Sequence, residues 1–124
     1  MSEATLLLLG EQAEALAPRL EASGYSCVLA AAPPAEWRRC HLALLAAAEA
    51  ERIPALRQAL PGVPLLLDLG RDGLMARSQL LRSGATDFWL SALGPSDLLV
   101  RLRLHLRLLH KGQPSADRIG RAHV

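Results

Sequence analysis

Carboxylates, thiols and imidazoles are the groups from which a reactive site would be assembled, and this chain places few of them together. Its first aspartate is Asp68 and its one lysine is Lys111. Asp68 closes an apolar run, where a carboxylate can in principle accept a phosphoryl group. That chemistry also needs an acidic pair to hold Mg²⁺, an ion that prefers oxygen ligands, and cationic or hydroxyl groups around the phosphoryl oxygens. No second carboxylate or lysine accompanies Asp68, so it reads as a strand-end carboxylate, solvated or capping Arg71. Glu11 stands alone in the same way. One carboxylate makes a poor Mg²⁺ site, and a glutamate in the first turn of a helix meets the positive end of the helix dipole. His41, His105, His110 and His123 show no metal-ligand spacing and no adjacent nucleophile. Cys27 and Cys40 lie in or beside apolar runs and read as reduced, buried thiols. Gly70, Gly73 and Gly84 match no phosphate-binding loop. The residues point to no enzyme, no cofactor and no metal.

The elements that would position these groups alternate along the chain. Thr5 to Leu9 is an unbroken apolar run, suited to a strand buried on both faces of a parallel sheet. Glu11 to Ser23 carries Ala13, Leu16, Ala17 and Leu20 at helical spacing and stops at Gly24. Tyr25 to Ala30 is the second strand candidate. Pro33-Pro34 breaks the chain, and 35–39 has room only for a short helix. His41 to Ala46 is the third strand. Ala47 to Leu60 reads as a helix whose start Pro54 places near residue 53. Val63 to Asp68 is the fourth strand, and Asp72 to Ser83 the next helix, stopped at Gly84. Asp87 to Leu90 is the fifth strand, followed by a helix opened by Pro95 and Ser96, with Ser96 as the expected N-cap. This alternation predicts a single α/β domain: a doubly wound, five-stranded parallel sheet with helices on both faces. In such sheets the site lies at the carboxyl ends of the strands, here near residues 10, 31, 46, 69 and 91.

The last helix is ambiguous in pattern. Val100 to Leu108 alternates apolar and polar residues, as a strand does. Leucine and arginine are good helix formers, and wound as a helix the segment has two stripes. Leu98, Leu99, Leu102, Leu106 and Leu109 form one, able to cover the sheet. Val100, Leu104 and Leu108 form another, nearly opposite, which needs a different partner or stays wet.

The chain has 124 residues, 51% hydrophobic and 3% aromatic, with a formal net charge of +2. That length suits one domain with a leucine- and alanine-filled core. The charge is too small to imply nucleic-acid binding, and the arginines cluster only after residue 100. The run Thr5 to Leu9 is too short to span a bilayer and lacks a basic flank, so neither a signal peptide nor a membrane helix is expected, and the reading is cytoplasmic.

The stretch GATDFWLSALGPSDLLVRLRLHLRLL, from Gly84 to Leu109, strongly resembles the last strand and helix of the CheY-like receiver domains of bacterial response regulators. Gly84, Ala85, Asp87, Phe88, Leu93, Asp97, Leu98 and Arg101 match the family pattern. Ser91 and Ala92 stand where it has Lys-Pro. The resemblance implies a phosphoryl switch built from an aspartate ending the third strand, an acidic pair ending the first, a hydroxyl ending the fourth and a lysine ending the fifth. This chain departs from it at each place. Ala46 occupies the acceptor position, Gly10 and Glu11 the acidic pair, Leu69 the hydroxyl position and Ser91 the lysine position. The expectation is a degenerate receiver with no phosphorylation by the usual route, its emptied pocket filled by apolar side chains.

What is kept resembles the winged-helix (OmpR/PhoB-type) subfamily, whose members dimerise through the fourth helix, fifth strand and fifth helix. On that resemblance Arg77 pairs with Asp97 and Asp87 with Arg101. Arg103 adds a further basic position, and Leu81, Val100 and Leu104 add apolar ones. Single exposed ion pairs contribute only ~0–1 kcal/mol, so the charges would set register and the apolar stripe would supply affinity. Residues 1–111 are expected to form the receiver-like domain. Gly112 to Ala116 reads as a linker, and Asp117 to Val124 as the possible first strand of an output domain, through which alone DNA would be met. The functional expectation is a phosphorylation-independent homodimerisation module of a transcriptional regulator. The alternative is a monomeric protein-interaction domain of a kinase, cyclic-dinucleotide or clock-type signalling protein.

Overall fold

The computed structural model describes residues 4–70, 82 and 84–122. Apolar runs form the strands β1 (Thr5–Leu9), β2 (Ser26–Leu29), β3 (Leu42–Leu45), β4 (Leu65–Asp68) and β5 (Asp87–Trp89). All neighbouring pairs are parallel, in the order β2-β1-β3-β4-β5. Leu6 of β1 sits between Cys27 of β2 and Leu42 of β3, which sets the register at the centre. This is the doubly wound order with its switch point between β1 and β3, where the chain reverses its direction of travel across the sheet.

Successive strand side chains point to opposite faces, and along β1, β3 and β4 both faces are buried, while the edge strand β2 is partly exposed. Leu6, Leu8, Leu42, Leu44, Leu66 and Trp89 pack on one side with Leu20, Tyr25, Leu98 and Leu102. Leu7, Leu9, Ala43, Leu45, Leu65 and Leu67 pack on the other with Ile53, Leu56 and Leu60. The helices covering these faces are short, apart from the last. The expected first helix is two pieces, α1 (Glu11–Glu14) and α2 (Ala17–Ala22). Pro18 causes the break: it has no N–H for the Glu14 carbonyl, and the preceding turn tightens so that Leu16 donates to Ala13 instead. α3 (Pro34–Trp37) is a single turn. After β3 a 3₁₀ segment spans Ala47–Arg52, and α4 (Ile53–Ala59) begins one residue ahead of Pro54. The helix read over 72–83 falls largely outside the described residues.

The last helix, α5 (Pro95–Ala122), is 28 residues long. It departs from the sequence reading at both ends. Gly94, at φ 94°, takes the N-cap position, so Pro95 is the first helical residue and Ser96 lies inside. At the other end the backbone is helical through 112–122, where a linker and an opening strand were expected. Lys111, Gln113, Ala116 and Arg118 are helix formers and continue the winding around Gly112 and Pro114. The two-stripe reading holds. Leu98 and Leu102 are buried, while Val100, Leu104 and Leu108 are 67%, 50% and 54% exposed.

One arginine stitches the amino end of this sheet. Arg57 of α4 donates to the Gly84 carbonyl from Nε and Nη2 (3.1 and 2.8 Å), to the Val63 carbonyl from Nη1 (3.1 Å) and to Thr86 Oγ1 from Nη2 (2.6 Å). Thr86 Oγ1 also accepts the Leu65 N–H at 3.0 Å. The entries to β4 and β5 are thereby tied to α4. No described helix is long and apolar enough to cross a membrane.

Leu44 is fully buried at the sheet centre, so Leu44→Ala is expected to cost about 2–5 kcal/mol in denaturant unfolding. Leu104→Ala, on the exposed stripe, is expected to shift the unfolding free energy of one chain by less than about 0.5 kcal/mol.

Candidate functional site

The carboxyl ends of β1, β3, β4 and β5 bring together the positions singled out in the sequence. β3 delivers Ala46, which is 1% exposed and donates its N–H to the Leu9 carbonyl at 2.9 Å. β1 delivers Gly10 at φ 97°, a left-handed conformation that favours glycine. A Cβ on Gly10 would lie 2.6 Å from the Ala46 methyl and 2.9 Å from Glu49 Cγ. Glycine is therefore required there twice, for its backbone angle and for the close approach. Ala46 fills the space against Gly10, and Leu69, 7% exposed, adds apolar bulk at the end of β4.

The carboxylates around this end are dispersed. Glu11 is exposed in the first turn of α1. Glu49 pairs with Arg52 at 3.0 Å, and the Arg52 guanidinium lies 5.8 Å from the Trp37 ring centre. Among the described residues no three His, Cys, Asp or Glu side chains come together as a metal-holding group.

Asp68 is the one buried charged side chain among the described residues, at 4% exposure. The reading of a solvated carboxylate is therefore corrected. Its Oδ1 accepts the Gly70 N–H at 2.8 Å and the Ser91 N–H at 3.0 Å. The group is a strut, tying the turn after β4 to the exit from β5, and two backbone donors replace the water it lost. Arg71, the other expected partner, lies outside the described residues. Ser91 is exposed and contributes its backbone to this strut.

A second charged group forms where β5 meets α5. Arg101 donates from Nη1 to Asp87 Oδ1 (2.9 Å) and Oδ2 (3.2 Å), and from Nε to Asp97 Oδ2 (3.1 Å). His105 Nε2 stands 2.8 Å from Asp87 Oδ2, and the Phe88 N–H donates to Asp87 Oδ1 at 2.7 Å. The Arg101 guanidinium also lies over the Phe88 ring, 5.2 Å from its centre. Burial pushes the Asp87 carboxyl up, but the hydrogen bonds from His105 and Phe88 and the charge of Arg101 outweigh it and hold it below the usual range. Burial likewise opposes the charge on Arg101, and the two aspartates more than offset it.

Asp87, Asp97 and Arg101 were expected to pair across a dimer face, and here they pair within one chain. His105 belongs to the same cluster and was missed by the sequence reading. Its signal was available: Arg101 and His105 are four residues apart on a helix, hence on one flank. Val100 and Leu104 lie beside the cluster on the exposed stripe, while Arg103 falls on the other flank of α5. Arg77 and Leu81 lie outside the described residues.

Two predictions follow from these contacts. Gly10→Ala is expected to destabilise the chain in denaturant unfolding. The Ala46→Gly change removes the methyl it would strike, so the double variant should recover part of the loss, with a coupling of roughly 0.5–3 kcal/mol. Asp87 has a depressed folded pKa, so its stabilisation is present above the unfolded value of about 3.9 and is lost as pH falls through the lower folded value. Thermal unfolding followed downward from pH 5 should show falling stability below about pH 4. Asp87→Asn should be less stable at neutral pH and lose less on acidification.

Neither a protein-family model nor a curated protein sequence matches the chain. Solved structures do match it in fold. The non-phosphorylated receiver domain of HemR from Leptospira biflexa aligns with a TM-score of 0.67 at 19% identity, covering 84% of this chain and 94% of that one. The chemotaxis protein CheY4 of Vibrio cholerae aligns with a TM-score of 0.66 at 18% identity, covering 81% and 96%. NtrX from Brucella abortus aligns with a TM-score of 0.78 at 16% identity, covering all of this chain and 30% of NtrX. The chain has the five-stranded parallel fold of the response-regulator receiver domains.

Proposed function

We propose that this chain is a degenerate receiver domain that dispenses with the phosphoryl switch and acts as a homodimerisation module of a cytoplasmic transcriptional regulator. The observation that carries the reading is the row Val100, Leu104 and Leu108, each at least half exposed on one stripe of α5. Three large apolar side chains in line form a face that a second copy can cover. The Asp97–Arg101–Asp87 cluster beside it offers charge of both signs to set the register. A two-fold axis through such a face uses every contact twice. Asp87, Asp97 and Arg101 already satisfy one another within a chain, so the apolar stripe supplies most of the affinity and the charges supply orientation.

Loss of the switch is supported by the carboxyl end of the sheet. Ala46 holds the acceptor position packed against Gly10, Leu69 and Ser91 hold the two positions that would meet phosphoryl oxygens, and Asp68 is committed to two backbone donors. The domain would then be non-catalytic, its activity set by its own concentration. DNA would be met by a separate output domain, two of which the dimer would place on paired half-sites.

Sedimentation equilibrium of the chain, with and without acetyl phosphate and Mg²⁺, tests both halves. A concentration-dependent dimer is expected, unchanged by the phosphoryl donor, with no phosphoryl mass gained by the protein. Val100→Glu together with Leu104→Glu should weaken it at least tenfold, because each copy would bury two charges against the other. A wild type that stays monomeric at every concentration overturns the dimer and favours a monomeric interaction domain. An acid-labile phosphoryl group on Asp68 overturns the loss of the switch.

A further inference from the structure

The amino end of the sheet, opposite the receiver-type site, holds a cleft of about 850 Å³. That volume falls within the range of small-molecule sites, roughly 300–1,000 Å³. Four strand entries and one helix build it: Ala4 ahead of β1, Tyr25 ahead of β2, His41 ahead of β3, Val63 ahead of β4, and Leu106 of α5. Arg103 and Arg107 complete it from the same helix, one turn apart.

The polar groups lining this cleft are donors. His41 Nδ1 accepts the Thr5 N–H at 3.0 Å. The ring proton of the neutral imidazole therefore sits on Nε2, leaving that nitrogen as a donor. Tyr25 is 4% exposed, and its hydroxyl has no hydrogen-bond partner among the described residues. The oxygen itself is not buried, so the cleft can offer it a ligand or water as partner. Arg103 and Arg107 make no ion pair among the described residues. Among the described residues no aspartate or glutamate lines the cleft. Cys40 adds no negative charge: burial, then the nearby Glu36, pushes its thiol up to about 11, and it donates to the Glu36 carbonyl at 3.7 Å. The remaining walls, Ala4, Val63 and Leu106 among them, are apolar.

We infer that this cleft binds a small organic anion, an apolar or aromatic body bearing one carboxylate, sulfonate or phosphate group. Arg103 and Arg107 flank the head group, since guanidinium forks match such oxyanions. Tyr25 and His41 supply further donors, and the apolar wall takes the body. The site is independent of the dimer reading, because its arginines lie on the opposite flank of α5 from the Asp97–Arg101 cluster.

Titration of the full chain with 1-anilinonaphthalene-8-sulfonate, followed by fluorescence and by amide shifts in ¹H–¹⁵N spectra, tests it. Saturable one-to-one binding is expected, with shifts at Tyr25, His41 and Val63. Arg103→Gln with Arg107→Gln should weaken binding at least tenfold while leaving the near-ultraviolet dichroism unchanged, since both side chains are exposed. The uncharged analogue N-phenyl-1-naphthylamine should bind at least tenfold more weakly. The dye also has an affinity for exposed apolar surface, so Val100→Ser with Leu104→Ser serves as the contrasting variant and should keep the saturable one-to-one site. Absence of saturable binding overturns the proposal. So does binding that survives the arginine changes, binding lost with the stripe, or an uncharged analogue that binds equally well.

Discussion

Burial of the sheet on both faces is the constraint from which the rest of the molecule follows. Leu6 to Leu9 and Leu42 to Leu45 are all essentially inaccessible, and a charge placed among them would lose its hydration with nothing to replace it. Polar chemistry is therefore displaced to the two ends of the strands and to the outer surfaces of the helices. At the carboxyl end that leaves Asp68, held by two backbone N–H groups. At the amino end it leaves Tyr25, His41, Thr86 and the arginine that reaches Thr86. The fold alone dictates where a site can be, and the residue types at each end decide what kind it is.

At the carboxyl end those types close the space rather than open it. Receiver chemistry needs room for a phosphoryl group and a divalent ion between the ends of β1, β3 and β5. Here the Gly10 backbone approaches the Ala46 methyl so closely that even one more carbon has no place. Ala46 itself is 1% exposed, and Leu69 at the end of β4 has no polar side-chain atom to offer. The apolar and backbone-committed groups are distributed over several strand ends, and the proposed function therefore rests on the helix surface instead.

The sequence made the strands and the two-stripe helix legible because both are periodic, local signals. β1 matches its expected bounds, and Val100, Leu104 and Leu108 separate from Leu98 and Leu102 as helical spacing requires. Helix ends were read less well. Pro18 was the visible cause of the α1–α2 break, and it was outweighed by an unbroken apolar period on both sides. Gly94 displaced Ser96 as N-cap, because its φ of 94° is a non-helical conformation that glycine adopts freely and the helix starts at the proline itself. What could not be read were contacts between residues distant in sequence. Asp68 looked solvated because one of its two partner N–H groups lies 23 residues away at Ser91. Arg57 looked like an ordinary helix-end charge, although it binds Gly84 and Thr86, 27 and 29 residues on. The donor-lined cleft is assembled from five segments, none of which signals it alone.

Helix α5 is where the separate surfaces meet. At about 100° per residue, Leu98 and Leu102 face the sheet, and Asp97, Arg101 and His105 run along one flank. Val100, Leu104 and Leu108 run along the outer stripe, and Arg103 and Arg107 along the other flank. A rigid helix cannot turn one face without turning all of them. An anion held by Arg103 and Arg107 would also remove positive charge from the border of the stripe proposed as the dimer face. By linkage, any change it made to the affinity between two copies would be returned as the same change in its own affinity. Such coupling needs only a difference in ligand affinity between the single and paired chain. It would supply a route for regulation that makes no use of the closed carboxyl end of the sheet.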